Sequence, residues 1–240
     1  MNTDQMITCN VCNTSNHHLA ILCSSCGGYL QGRVDNLDLF ATGWKIIESP
    51  LSAMRIVALA RHKNYAAILS AIAGIALTFF IFWLYKLGDH AQTIVNVLGA
   101  GLVVGPIIGI IVVLLYSAVI TLEIRVSRMQ ASFRNIFATV SYALVPLVLS
   151  VFLVLPIEVM TFGTYFFTSE PSPYLLKPAS YILLLSLDGI FALWSIMLLF
   201  IGMKTLLDIS WARTLNMTLL SLLMFGFGMK MLLQVIIPNL

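Results

Sequence analysis

"AQTIVNVLGAGLVVGPIIGIIVVLLYSAVITL", from Ala91 to Leu122, is a stretch of 32 residues without a single charged side chain. About 20 apolar residues at about 1.5 Å each suffice to cross the hydrocarbon of a bilayer, so this stretch reads as a transmembrane helix. Similar runs flank it. Tyr65–Tyr85 and Asn135–Ile157 are uncharged, and Pro178–Met203 and Thr214–Ile237 are each broken by one charge, Asp188 and Lys230. With 60% hydrophobic and 10% charged residues among 240, the chain is too apolar for a soluble globular domain. The fold class expected is an all-α integral membrane protein whose bundle has five spans, over about 65–87, 94–121, 137–163, 179–203 and 214–237.

The polarity of the first sixty residues argues against a cleavable leader and assigns targeting to the first span. Basic residues then set the orientation. With the N-terminus cytoplasmic, Arg33, Lys45, Arg55, Arg61, Lys63, Arg125, Arg128, Arg134, Lys204 and Arg213 all fall inside, ten of the thirteen cations. Lys86, Lys177 and Lys230 fall at or toward the outer side, so the C-terminus is expected outside.

Every cysteine of the chain lies in residues 1–32, as Cys9-x-x-Cys12 and Cys23-x-x-Cys26 with ten residues between the pairs. Each pair makes a tight turn that presents two sulfurs to one tetrahedral ion, the spacing of zinc-ribbon knuckles. A reducing cytoplasm disfavours two disulfides. Structural Zn²⁺ is the cofactor expected, with iron, redox chemistry or a metal-free tail as the other readings. A four-sulfur site has no open position for catalysis, and so small a module has too little core to fold unaided, so metal binding would supply the folding energy. His17 and His18 read as solvent-facing loop residues.

Residues 33–63 form a linker in which Gly43–His62 carries Trp44, Ile47, Leu51, Met54 and Leu59 among cations, with Ser49-Pro50 as cap and first helical position. The pattern fits an amphipathic helix lying in the membrane interface, or one packed on the inner ends of the spans. The five-span domain occupies 64–240. In its second span Gly101, Gly105 and Gly109 recur every four residues, a small face that lets helix backbones approach closely, more readily within the chain than in a dimer. Pro146 and Pro156 predict kinks in the third span. Thr168–Pro178, with three prolines, is a stiff external loop too short for a soluble domain.

Three ionisable residues interrupt the spans: Glu158, Asp188 and Lys230. Asp or Lys at mid-helix costs roughly 2.5 to 3.5 kcal/mol on insertion scales, so each calls for a partner. Glu158 and Lys230 both fall about 25 Å from the inner boundary, which lets Lys230 pair with Glu158 or reach Asp188 with its long stem. The set reads either as an inter-helix ion pair or neutral buried carboxyl, or as an ion pathway lined by Asp188, Ala192 and Ser195. There is no Gly-rich phosphate loop, no His-Glu-x-x-His and no Gly-x-Ser-x-Gly, so no enzyme is expected. The scattered basic residues disfavour nucleic acid, and between Asp4 and Leu30 there is no Lys or Arg at all.

Three stretches together resemble the Yip1-domain family of five-span membrane proteins. They are "SPLSAMRIV" (Ser49–Val57), "SFRNIFATVSYALVPLVLSVFLVLP" (Ser132–Pro156) and "LWSIMLLFIGMKTLLDISWARTL" (Leu193–Leu215). The resemblance implies, for eukaryotic members, work with Rab-type GTPases. The Asp-Leu-Tyr-Gly-Pro signature of that branch is missing, which counts against a GTPase partner here. The N-terminal knuckle looks more like prokaryotic members, for which the resemblance implies a prokaryotic cell membrane and a role accessory to ABC-type export or envelope-stress systems. The function expected is a non-enzymatic membrane adaptor that sits among lipids and docks a cytoplasmic or membrane protein through its zinc module. A small transporter or channel using Asp188 and Glu158 is the alternative, and a membrane-shaping protein the third reading.

Overall fold

The computed structural model describes residues 6–32, 34–91 and 93–236; Arg33 and Ile237, both named above, lie outside them. Among the described residues, two short strands, β1 (Met6–Thr8) and β2 (Ser15–His17), pair antiparallel, an isolated bridge joins Leu22 to Tyr29, and the elements from Leu39 onward are helical. Helices α1 (Leu39–Glu48) and α2 (Pro50–Leu59) precede α3 (Ala66–Leu84) and α4 (Ile94–Val126). A third segment comprises α5 (Phe133–Ala143), α6 (Val145–Leu153) and α7 (Leu155–Phe162). A single turn, α8 (Pro173–Leu176), leads into α9 (Pro178–Leu207) and α10 (Trp211–Ile236).

Among the described residues, five stretches are long and apolar enough to cross a membrane: Ala66–Leu84, Ile94–Val126, Phe133–Phe167, Pro178–Leu207 and Trp211–Gln234. Their number and order agree with the sequence reading, while their limits move by up to five residues. The second span runs on through Glu123 and Arg125, charges that an α-helix carries past the hydrocarbon without breaking its hydrogen-bond ladder. The third begins at Phe133 rather than 137 because Ser132 caps it, its side chain accepting from the Asn135 N–H at 3.3 Å.

The linker departs from expectation. Where the sequence suggests one helix over Gly43–His62, there are two that meet at Ser49, because Pro50 has no N–H with which to continue the first. Pro50 is indeed the first residue of its helix, yet Ser49 makes no side-chain cap. Ala53, Met54, Val57 and Ala58 of α2 are buried, and α2 packs against α5 and α9. Of the two uses left open, packing on the bundle therefore describes α2, whereas α1 keeps Phe40, Trp44 and Ile47 exposed.

The tightest contact in the bundle runs between α3 and α4. A methyl on Gly74 would be driven into the Gly105 carbonyl and the Gly109 Cα, and one on Gly109 into the Ser70 carbonyl. A Cβ on Gly105 would lie 2.8 Å from Ile75 Cα. Gly101 faces the ring of Phe79. Backbone thus lies on backbone from Gly105 to Gly109, the close approach that small residues permit in lipid.

The third span is segmented as its prolines suggest. Pro146 and Pro156 each stand second in their helix, after breaks at Leu144 and Val154, and neither can donate to the carbonyl four residues back. Buried hydroxyls tie the pieces to their neighbours. Ser70 and Ser141 share a 2.9 Å hydrogen bond between α3 and α5, and Tyr116 and Ser221 one of 3.1 Å between α4 and α10. Tyr142, fully buried, donates to the Asn64 carbonyl at 2.7 Å. Tyr142→Phe is expected to destabilise the bundle by about 1 to 2 kcal/mol, the cost of a lost bond plus a stranded carbonyl. An unshifted detergent-denaturation midpoint would refute that assignment.

Apolar packing is organised in two clusters. The larger, around Ile46, Met54, Val57, Ile136 and Leu198, joins α1 and α2 to the bundle at the ribbon end. The smaller is aromatic, built on Phe79, Phe162, Phe166 and Phe167.

Candidate metal centre and intramembrane carboxyls

Two backbone turns build the cysteine site. After β1, the Cys9 N–H donates to the Thr14 carbonyl at 3.0 Å and the Asn13 N–H to the Cys9 carbonyl at 2.9 Å, with Asn13 in the left-handed region (φ 55). The second turn repeats this: the Cys23 N–H donates to Gly28 at 2.8 Å and the Gly27 N–H to Cys23 at 3.0 Å, Gly27 having φ 70. A left-handed residue after each Cys-x-x-Cys folds the chain back so that both sulfurs face inward.

Cys9 and Cys26 lie 3.6 Å apart at sulfur, Cys12 and Cys23 3.5 Å, and all four sulfurs fall within 4.8 Å of one another. Bonded sulfurs stand about 2.05 Å apart, whereas a tetrahedral ion with metal–sulfur bonds of about 2.3 Å spaces them at about 3.8 Å. The distances match the second arrangement, so the residues fit a metal ion. Backbone N–H groups serve the sulfurs too. Val11 donates to Cys9 and Ser25 to Cys23, each at 3.4 Å. Hydrogen bonds from the Cys26 and Ser25 backbone bring the Cys23 thiol down to about 6 and Thr14 lowers Cys12, while the neighbouring Cys12 and Cys9 sulfurs push Cys26 up to about 12. A thiolate is the form that binds metal.

One supporting residue escaped the sequence reading. Asn16 is buried between the turns, donating to the Thr14 carbonyl at 2.8 Å and to Cys23 Sγ at 3.4 Å. Its Oδ1 accepts from the Ser24 N–H and hydroxyl at 2.8 and 2.9 Å.

The module is seated on the bundle. Gln31 Nε2 donates to the His18 and Ala20 carbonyls, and Gln31 Oε1 accepts from Arg55 of α2 at 3.1 Å. The Arg61 and His62 N–H groups donate to the Val34 and Asp35 carbonyls. His17 is exposed as expected, but His18 is not a free loop residue. It is half-buried in a cleft with Arg55, Lys204, Asp208 and Trp211, and burial lowers its basicity, with the charge on His17 acting in the same direction. Lys204 pairs with Asp208 at 3.1 Å there.

Within the membrane the three charges part company. Glu158 on α7 is 3% exposed, with its Oε1 lacking a hydrogen-bond partner, and Asp188 on α9 accepts from the Ser150 hydroxyl at 2.9 Å. Both line one cavity of about 480 Å³, together with Ala192. Ser195, placed beside them by helical spacing, is buried elsewhere and its hydroxyl is unpartnered. Lys230 is exposed on α10, and the pairing expected of it is not found: among the described residues no ion pair joins it to either carboxylate. Equal depth did not bring it near Glu158, because depth leaves open which way a helix turns its side chain.

Comparison with known proteins adds one finding and two absences. None of the curated proteins and none of the solved structures matches the chain. The family model of the Yip1 domain matches residues 44–232, which takes in most of the linker helices, four spans whole and the fifth up to Leu232, and leaves the cysteine module outside. The chain therefore belongs to the Yip1 domain family.

Proposed function

We propose that this protein is a non-enzymatic membrane adaptor whose zinc-held module, facing the cytoplasm, docks a partner protein onto the five-span bundle, whose C-terminus lies outside. The observation that carries the proposal is the surface of the module. Val11, Leu22 and Tyr29 are 76%, 52% and 76% exposed on a knob without Lys or Arg from Asp4 to Leu30. Apolar groups on a knob without cationic side chains suit a protein surface better than phosphates or anionic lipid. The ion has a closed set of four ligands and serves structure. An ABC-type export assembly is the partner class that the family resemblance suggests.

The test is purification of the tagged protein from its native membranes in mild detergent, as wild type, as Cys9→Ser/Cys23→Ser and as Val11→Asp/Tyr29→Asp. The wild type is expected to bring down one stoichiometric partner. The cysteine variant loses partner and metal together, whereas the surface variant loses the partner and keeps the metal. A wild type that comes down alone, or a partner retained by both variants, overturns the adaptor reading.

A further inference from the structure

The cavity between α3, α6, α7 and α9 is unlike the rest of the bundle interior. Its wall carries four aromatic rings, Phe79, Phe80, Trp83 and Phe166. Its polar groups are Glu158, Asp188 and Ser150. The two carboxyls are close enough to interact, and Glu158, almost fully buried, leaves its Oε1 without any donor. No Lys, Arg or His is among the described residues that line it.

We propose that this cavity is a binding site for an organic cation bearing apolar groups. Four chemistries compete for it, and the lining separates them. An anion would face two carboxyls with no compensating cation. A neutral apolar molecule would leave Glu158 Oε1 without a partner, and a buried polar group without one is costly. A hard divalent ion needs six or more oxygen ligands, or a nearly complete water shell, and two carboxyls, one hydroxyl and a wall of rings supply neither. A lipophilic cation satisfies every part: its charge meets the carboxyls, its apolar groups meet the wall, and ring faces attract positive charge within about 6 Å.

Trp83 already shows that its ring takes such a contact. From outside the lining, Lys86 Nζ lies 5.2 Å from its ring centroid. The indole is held in place by its N–H, which donates to the Tyr181 hydroxyl at 3.1 Å. Ser150 likewise fixes Asp188, so the site is organised before a ligand arrives.

Radiolabelled tetraphenylphosphonium is the probe, measured on the full chain in dodecyl maltoside with empty micelles as the partition baseline. One saturable site per protein is expected. Its affinity should fall at least tenfold in Glu158→Gln/Asp188→Asn and severalfold in Phe80→Ala. Tetraphenylborate has the same shape and the opposite charge, and it should not compete; this control needs only the wild type, so a variant that fails to fold does not blunt the test. Displacement by phosphatidylethanolamine would identify a lipid ammonium headgroup as the natural occupant, and failure to displace would identify a free amphiphilic amine. Binding no greater than to empty micelles, equal competition by tetraphenylborate, or affinity unchanged in a folded carboxyl variant overturns the proposal.

Discussion

Gly109→Leu is expected to leave no folded monomeric bundle. At this position the obstacle is not a side chain that can swing away but the Ser70 carbonyl and the Gly74 backbone, with the Gly74 nitrogen 2.7 Å from where a Cβ would stand. Overpacking a core costs about 1 to 3 kcal/mol when side chains can yield, and more when they cannot. A leucine adds three carbons beyond that first one, so α3 and α4 must separate and Gly74, Ser70 and Gly105 lose their contacts together. Gly109→Ala should already lower the melting temperature, whereas Gly101→Ala, which meets only the ring of Phe79, should do so less. Gly99 and Gly226 have nothing within 4 Å of a new methyl. Alanine at either should be neutral or gain about 0.5 to 1 kcal/mol of helix propensity. Size-exclusion profiles after heating rank the series. A Gly109→Leu protein that runs and melts as wild type would remove the seam from the account of the fold.

Metal removal should have the next largest effect, and it should be confined to the N-terminal module. The pairing of β1 with β2 covers three residues on each strand, far too little to persist alone. Zinc binding to comparable modules is worth about 10 to 16 kcal/mol at neutral pH, so chelation or Cys23→Ser should unfold this one outright. Hydrogen exchange reads the result. Amide protection at Cys9, Asn13, Cys23 and Gly27 should vanish with the metal, while protection in α3 and α4 stays. Asn16→Ala keeps the four ligands but removes their brace and should weaken metal binding about 10- to 100-fold. Protection that survives chelation, or purified protein with no metal and four freely reactive thiols, would sink the assignment.

How much of this the sequence discloses depends on which physics writes it. Lipid tolerates no unpaired backbone and few charges, so each span appears as an apolar run with at most one charge, and all five can be counted along the chain. Pro146 and Pro156 announce their breaks because a missing donor is a local property. Contacts are another matter. Gly74 is as much a part of the helix seam as Gly109, and Ser70-x-x-x-Gly74 was the small-residue spacing that could have revealed it. The four cysteines are plain from spacing, while Asn16 and the seating of His18 depend on how turns close and what they rest against. Lys230 is the clearest limit: residue counting gives height along a helix but not azimuth.

The seam and the segmented span also divide the bundle mechanically. Between Gly105 and Gly109 the contact of α3 with α4 is mostly backbone on backbone and leaves little to repack, so the two helices are expected to move together. The chain from Phe133 to Phe162 is the opposite, three short rods joined at Leu144 and Val154 with a proline just beyond each joint. Compliance is thereby concentrated in one member of an otherwise stiff frame. The second joint stands four residues before Glu158, so any bending there reaches the buried carboxyl first.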